Sequence, residues 1–213
     1  MSALMPAVIP AVMHDQIHLA SQSPRRRQLL DQLGVRHEPL LADEHEDAEA
    51  LEAVLPGELA ADYVQRVTAL KLNAARQRQR RRGLPNWPIL CADTTVVLGR
   101  RILGKPADAA EASEMLAALS GRTHRVLTAV ALWAGRRMHA AMSESRVMVA
   151  DLSADDIARY VASGEPFGKA GAYAIQSQFA AHIRRIDGSH SGIMGLPLFE
   201  TAQLLKTARV RLR

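Results

Sequence analysis

A run of ten residues, Ile89–Leu98, constrains the fold of this chain more than any other segment. Every residue in the run is apolar or a threonine except Asp93, and Pro85 and Pro88 precede it. Such a nearly continuous apolar run is typical of a central β-strand that is covered on both faces. A carboxylate is costly to bury alone, so we expect Asp93 to have a metal ion or a lysine as its partner. A purely structural salt bridge is the alternative at this point.

Short apolar runs alternate with helical patterns along the rest of the chain, as they do in an α/β domain. Strands are predicted at 17–20 and in a hairpin formed by 124–133 and 138–150. Capping and turn residues predict helices at 23–34, 59–82, 108–121, 153–164 and from 198 onwards. We expect one domain over residues 17–213, preceded by an N-terminal extension of residues 1–16.

The charge balance of the chain favours an anionic ligand. There are 27 basic and 22 acidic residues, which gives a net charge of +5. The densest basic segment runs from Arg76 to Arg82, and we interpret it as the solvated end of a helix, with an RNA-binding patch as the alternative. Only 4% of the residues are aromatic, so side chains that could stack on single-stranded RNA are scarce.

The single cysteine suits a reducing compartment, and the hydropathy pattern shows no membrane-spanning run. Cys91 is the single cysteine, which excludes an intrachain disulfide and suits the cytoplasm. Its apolar surroundings predict a buried, inert thiol. No apolar run approaches the ~20 residues that a membrane-spanning helix needs.

Two arginines lie at the predicted start of the first helix, in the segment LASQSPRR at 19–26. Backbone N–H groups at a helix start attract phosphate. Arg25 and Arg26 are unfavourable at the positive end of the helix dipole unless an anion offsets them. The segment therefore predicts a phosphate site, although a surface N-cap with solvated arginines is the alternative.

Two further segments and one helical lysine offer candidate ligands for a nucleotide. Lys105 lies between turn formers in LGKP, and Lys71 lies on the long predicted helix; alone, each is equally consistent with a solvated lysine. In GKAGAYAIQ at 168–176, small residues let a ligand approach the backbone, and Gln176 could read a base edge with its paired donor and acceptor. A surface loop is the alternative there.

The order of the motifs LASxSPRR, ADTT, LGKP, LSGRTHxVxTAV, KAGAYxIQ and GLP resembles the Maf family of nucleoside triphosphate pyrophosphatases, from about Ile17 to Leu205. The resemblance implies an α/β fold similar to the inosine triphosphate pyrophosphatases, with a mixed twisted sheet, flanking helices and two lobes around a deep cleft. It also implies a homodimer that hydrolyses a nucleoside triphosphate to the monophosphate and pyrophosphate. A membrane or nucleic-acid partner is not expected.

The resemblance assigns roles to individual residues. Asp93, in the ADT motif, matches the catalytic aspartate, and Arg26, Thr94 and Gln176 match the base-selecting positions of the subgroup that acts on dTTP and UTP. Five other positions match residues that line the cleft: Ser21, Arg25, Lys71, Lys105 and Lys169.

The resemblance also implies a metal. The family's acidic residue after the second strand aligns with Glu46, within a residue or so in the segment DEHE at 43–46. We therefore expect Mg²⁺ or Mn²⁺ to be held by Asp93 and Glu46. Asp93 would also take a proton from the water that attacks the α-phosphorus, and the sequence does not apportion its two duties.

Four residues depart from the family pattern and concern the base pocket and its loop: Gly168, Ala174, Ser177 and His190. Two alternative functions therefore stay open. One is a pyrophosphatase for methylated GTP or another modified nucleotide, against which Gln176 argues. The other is a non-enzymatic RNA- or partner-binding protein linked to cell division, against which the low aromatic content argues.

Overall fold

A seven-stranded mixed sheet forms the centre of the molecule. The computed structural model describes residues 13–43, 46 and 50–212. The strands are β1 (Gln16–Leu19), β2 (Arg36–Pro39), β3 (Ile89–Leu98), β4 (Arg101–Leu103), β5 (Thr123–Ala134), β6 (Arg137–Val149) and β7 (Ile183–Asp187). Their order is β2-β1-β3-β5-β6-β7, and β4 pairs with the end of β3. The three strands β2, β1 and β3 are parallel, and the other pairs are antiparallel, which confirms the predicted mixed sheet.

Helices flank the sheet, and most begin where the capping residues predict. They are α1 (Pro24–Gln32), α2 (Ala60–Arg81), α3 (Ala109–Leu119), α4 (Ala154–Ala162), α5 (His190–Met194) and α6 (Leu198–Thr207). Asp108 accepts a hydrogen bond from the backbone N–H of Glu111, and Ser153 forms a reciprocal capping box with Asp156. Ser23 occupies the N-cap position of α1 with Pro24 at the first helical position.

Alternate residues of β3 pack against different helices, because side chains of a strand point to opposite faces in turn. Ile89, Cys91 and Val97 pack with the buried face of α2. Leu90 and Ala92 pack in the cluster that contains residues of α1 and α6. By the same alternation, Asp93 lies on the face that α2 covers.

The edge of β3 opposite β5 is open in its middle. β1 pairs with β3 only at Ile89 and Leu90, and β4 pairs only with residues 96–98. β5, by contrast, pairs with β3 from Ile89 to Val97. Within the described part of the chain, residues 91–95 of β3 therefore have a strand neighbour on one edge only, and the other edge faces a cavity.

The first residues of the predicted N-terminal extension, 1–12, lie outside the described part of the chain. His14 forms an isolated parallel bridge with Val210, and β1 begins at Gln16, so the sheet starts one residue before the predicted boundary. None of the described helices is both long enough and apolar enough to span a membrane.

Candidate functional site

A cavity of about 670 Å³ lies at the open edge of β3. It is large enough for a nucleotide-sized ligand, since ligand pockets commonly measure ~300–1,000 Å³. All the residues that the sequence singled out as site residues line it: Ser21, Arg25, Arg26, Glu46, Lys71, Asp93, Thr94, Lys105, Lys169 and Gln176. The segments that the motifs marked are thus brought together in space.

The carboxylate of Asp93 pairs with a lysine, one of the two partners expected for a charged group in a buried strand. Lys71, projecting from α2, donates to Asp93 Oδ1 at 2.5 Å and to Glu52 Oε1 at 2.6 Å. Glu52 ends the short 3₁₀ turn Ala50–Glu52, and its other oxygen accepts from Lys105 Nζ at 3.1 Å. Two carboxylates and two ammonium groups therefore alternate along one wall of the cavity.

The charges of this wall support one another. Burial opposes the charged form of Lys71, but contact with Asp93 and Glu52 outweighs it and raises the pKa of Lys71 above its ordinary value. Burial likewise opposes the charge of Glu52, yet its hydrogen bond and ion pair with Lys71 lower its pKa. Both groups are thus held ionised at neutral pH.

Arg26 is built into the wall of the cavity beside Thr94 and is not a solvated surface arginine. Its Nε donates to the carbonyl oxygen of Gly195 at 2.7 Å, and its terminal nitrogens donate to Ser21 Oγ at 3.1 Å and Thr94 Oγ1 at 3.4 Å. Arg25 precedes it in the first turn of α1, and burial, followed by the charge of Arg26, lowers the pKa of Arg25. Two adjacent cations at a helix start make this wall attractive to an anion.

Thr94 is held from behind by a residue that sequence reasoning did not single out. Thr128 on β5 lies opposite Thr94 in the sheet, and their hydroxyl oxygens are 3.0 Å apart. The Thr128 hydroxyl also donates to the carbonyl oxygen of Gly192 at 2.7 Å. Thr128 belongs to the segment LSGRTHxVxTAV, so the motif contained a signal for it although no role was assigned.

The loop of the motif KAGAYxIQ contributes Lys169 and Gln176 to the lining of the cavity. Lys169 Nζ donates to the backbone carbonyl of Glu165, and burial, followed by the charge of Arg25, lowers the pKa of Lys169. Gln176 is exposed to the cavity, and its amide has no protein partner within the described residues. Its donor and acceptor are therefore available to a ligand.

Glu46 lies on the cavity wall but away from the Asp93 pair. Arg78 holds its carboxylate with two hydrogen bonds, at 3.0 and 2.5 Å, and Arg81 donates to it at 2.7 Å. The hydrogen bond with Arg78 is the main cause that lowers the pKa of Glu46 to about 2. The structure thus brings Glu52, which sequence reasoning missed, and not Glu46, to the lysine that Asp93 contacts.

The basic segment at 76–82 is only partly solvated. Arg78 is buried and also donates to the carbonyl oxygen of Leu40 at 2.8 Å, and Arg81 and Arg82 both pair with Asp43. Cys91 is fully buried, and burial raises the pKa of its thiol to about 11, as expected for an inert thiol.

The carboxylates of the site suit a hard cation that brings its own oxygen ligands. No group of three or more His, Cys, Asp or Glu side chains within the described ranges is placed to hold a metal. Asp93 Oδ1 and Glu52 Oε1 both lie within 2.6 Å of Lys71 Nζ, so they are at most about 5 Å apart. Mg²⁺ is commonly held by one or two carboxylates together with substrate phosphates and water.

The chain is similar in sequence to known proteins over most of its length. A family model described as Maf-like protein matches residues 16–208. The chain is 65% identical to a dTTP/UTP pyrophosphatase of Cupriavidus pinatubonensis over 199 residues, which cover 93% of this chain and 100% of that relative. It is 64% identical to a dTTP/UTP pyrophosphatase of Albidiferax ferrireducens (92% and 98% covered) and 63% identical to one of Ralstonia nicotianae (95% and 98% covered).

Proposed function

Because this chain belongs to the family of Maf-like proteins, we propose that it hydrolyses dTTP and UTP to the nucleoside monophosphate and pyrophosphate, and so clears these nucleotides from the pool. The observation that carries the proposal is the contact of Asp93 with Lys71 at the wall of a nucleotide-sized cavity. The names of the relatives support the substrate class, and the cavity supports the reaction type.

Cationic side chains from several parts of the chain line the cavity. They suit a triphosphate, which carries about four negative charges and needs several positive groups. We assign the phosphates to Arg25 on one side and to Lys71 and Lys105 on the other, with Lys169 and Ser21 completing the lining. These groups would also stabilise the negative charge that grows on pyrophosphate as it leaves.

Asp93 is the base of the proposed reaction. Lys71 fixes Oδ1 at 2.5 Å, whereas Oδ2 has no hydrogen-bond partner within the described residues. Oδ2 can therefore accept a proton from a water that attacks the α-phosphorus in line with the leaving pyrophosphate. The side chain is 11% exposed and lines the cavity, so water in the cavity can reach it.

Asp93 and Glu52 are the residues that we propose to hold a divalent cation, Mg²⁺ or Mn²⁺. When bound, the metal would stabilise phosphate charge and lower the pKa of the attacking water. We place Glu52 in this role because Lys71 contacts both Glu52 and Asp93, whereas Arg78 and Arg81 hold Glu46. The ammonium of Lys105 contacts Glu52 and has further N–H donors for the phosphates.

Arg26, Thr94 and Gln176 form the proposed base site. Arg26 and Thr94 are fixed by hydrogen bonds to the protein, whereas Gln176 is not. Fixed polar groups discriminate well between bases, because a mismatched base leaves them buried and unpaired. A pyrimidine preference of ~10³-fold over GTP is within the range of such mismatches.

The test is hydrolysis of equimolar dTTP, UTP, CTP, GTP and methylated GTP with Mg²⁺, with separation of the products. We expect monophosphate and pyrophosphate from dTTP and UTP first. Gln176→Ala should lower the dTTP-to-GTP ratio more than the total turnover. Release of inorganic phosphate instead of pyrophosphate, or a preference for methylated GTP, would contradict the proposal.

A further inference from the structure

A second concavity, of about 340 Å³, lies where the C-terminal part of α2 meets the turn between β5 and β6. Arg76 and Arg80 reach it from α2, and Arg136 reaches it from the β5–β6 turn. Trp133 and Leu84 provide its apolar surface. It shares no lining residue with the nucleotide-sized cavity, so it is a separate site.

The three arginines of this concavity have no carboxylate partner in the part of the chain that the structure describes. Arg76 and Arg80 are four residues apart on one helix, an arrangement that places like charges side by side and is mildly unfavourable. The arginines on the other side of the same helix end behave differently: Arg78, Arg81 and Arg82 are all paired with Asp43 or Glu46. The helix end therefore has one side whose arginines are paired with carboxylates and one side whose arginines are not, among the described residues.

Arg76 is held in a fixed orientation. Its guanidinium lies 3.2 Å from the centre of the Trp133 ring, and one terminal nitrogen donates to Asn73 Oδ1 at 3.2 Å. Its Nε is buried without a hydrogen-bond partner within the described residues. Burial and the charge of Arg80 lower the pKa of Arg76. A bound anion would relieve the repulsion between the two arginines.

We propose that this concavity binds a small phosphate-bearing anion, held by the guanidinium groups of Arg76, Arg80 and Arg136. Guanidinium forks match the oxygens of phosphate in geometry as well as in charge. Pyrophosphate is the probe of choice because it carries two phosphate groups and the proposed reaction releases it. The binding inference itself does not depend on that reaction.

The shape of the site favours a small anion over single-stranded nucleic acid. A strand needs aromatic faces on which successive bases stack. Arg76 already covers a face of Trp133, the only aromatic residue that lines the concavity among the described residues. A volume of about 340 Å³ also suits a small anion better than a stretch of single-stranded nucleic acid.

Calorimetric titration with pyrophosphate in metal-free buffer tests the proposal. The probe variant is Arg80→Gln/Arg136→Gln, which keeps the partly buried Arg76. The matched control is Arg184→Gln/Arg185→Gln, which removes the same charge from two exposed arginines of β7. We expect two bound equivalents for the wild type and the control, and only one, in the nucleotide-sized cavity, for the probe variant. The Kd of pyrophosphate at the second concavity should rise at least about tenfold in the probe variant.

Three results would overturn the proposal: an unchanged stoichiometry in the probe variant, an equal loss in the control, or binding of a single-stranded oligonucleotide at these arginines with no pyrophosphate bound there. Hydrolysis of dTTP should be normal in both variants, since neither changes the cavity that contains Asp93. A failure of the proposed function would leave the pyrophosphate titration interpretable, because it measures binding alone.

Discussion

Asp93 shows at the scale of one residue how a local conflict marks a site. A charged group in the middle of a buried strand is unfavourable unless something pairs with it. The structure supplies Lys71, which in turn contacts Glu52, so three charges share one wall. The sequence therefore predicted the existence of a partner from the cost of burial. It could not identify Glu52, which lies outside every motif and reaches the site from a short 3₁₀ turn.

Asp93→Asn tests the role of the carboxylate with little change of shape. The amide keeps the size of the side chain but loses the charge and the basicity, so we expect kcat to fall by ~100-fold or more. The circular dichroism spectrum should not change. Asp62→Asn, at an exposed position in the first turn of α2, is the control and should keep full activity. If the D93N enzyme kept more than half the wild-type rate, another residue would have to be the general base.

Glu52→Gln and Glu46→Gln distinguish the two candidate metal ligands. We expect Glu52→Gln to raise the Mg²⁺ concentration needed for half-maximal activity and to lower kcat, because the amide is a weaker ligand than the carboxylate. Glu46→Gln should act mainly on stability, by ~1–3 kcal/mol, since it weakens the partner of the buried Arg78. Titration of activity with Mg²⁺ and urea unfolding are the measurements, and the reverse pattern would restore Glu46 as the ligand.

At the scale of elements, the long and strongly patterned segments were predictable and the short edge segments were not. The apolar run gave β3, and turn residues gave the β5–β6 hairpin and α3, with bounds that agree with the structure to within about two residues. β2, β7 and α5 were not predicted, because they are only four or five residues long and the strands are mostly exposed. Their pairing depends on contacts with distant parts of the chain, which local pattern does not contain.

The same reasoning explains why the Arg76–Arg82 segment was only partly understood. Charge runs at helix ends are usually solvated, and nothing in the sequence places Asp43 or Glu46 beside α2. The structure buries Arg78 and divides the remaining arginines between two sides.

The loop that carries Lys169 and Gln176 is packed tightly against β3 at Gly171. A Cβ atom added at Gly171 would lie 2.7 Å from Val96 Cγ1, and its φ of +69° already disfavours other residues. We expect Gly171→Ala to lower the free energy of unfolding by ~2–4 kcal/mol, through backbone strain and overpacking together, and to raise the KM for dTTP by displacing the loop.

Gly135→Ala is the matched control for this prediction. Gly135 has a similar φ, +59°, but nothing lies within 4 Å of an added Cβ. It should therefore show the backbone strain alone, ~1–2 kcal/mol, with no effect on KM. Urea unfolding and steady-state kinetics of the two variants measure the difference. Equal losses of stability would show that the contact with Val96 does not matter.

At the scale of the whole molecule, the stability of the fold should depend on a buried histidine. His124 is buried, its Nε2 lies 2.7 Å from the hydroxyl oxygen of Tyr173, and burial lowers its pKa to about 4. A depressed histidine pKa means that the unfolded chain takes up the proton first. His124 therefore has no effect on the free energy of unfolding well above pH 6.5. It lowers that free energy progressively as the pH falls from about 6.5 to about 4.

We expect the wild type to lose ~2 kcal/mol of unfolding free energy through this group between pH 7.5 and pH 5. His124→Gln should remove that part of the pH dependence, although the variant can be less stable at both values. Urea unfolding of the two proteins at the two pH values gives the comparison. Parallel losses in both would assign the acid sensitivity to other groups.

The two hydroxyls behind the base site have a further consequence, which concerns the direction of their protons. The Thr128 hydroxyl has one proton, and the carbonyl of Gly192, at 2.7 Å, can only accept. The contact of 3.0 Å between Thr128 and Thr94 must then use the proton of Thr94, so Thr94 offers only lone pairs to the cavity. Uracil and thymine carry a donor at N3, whereas cytosine carries an acceptor there. If Thr94 contacts that edge of the base, CTP should be hydrolysed at least ~10-fold more slowly than UTP. Thr128→Val should reduce this difference in rate, because it frees the proton of Thr94. Thr128→Ser keeps the hydroxyl and should preserve the difference.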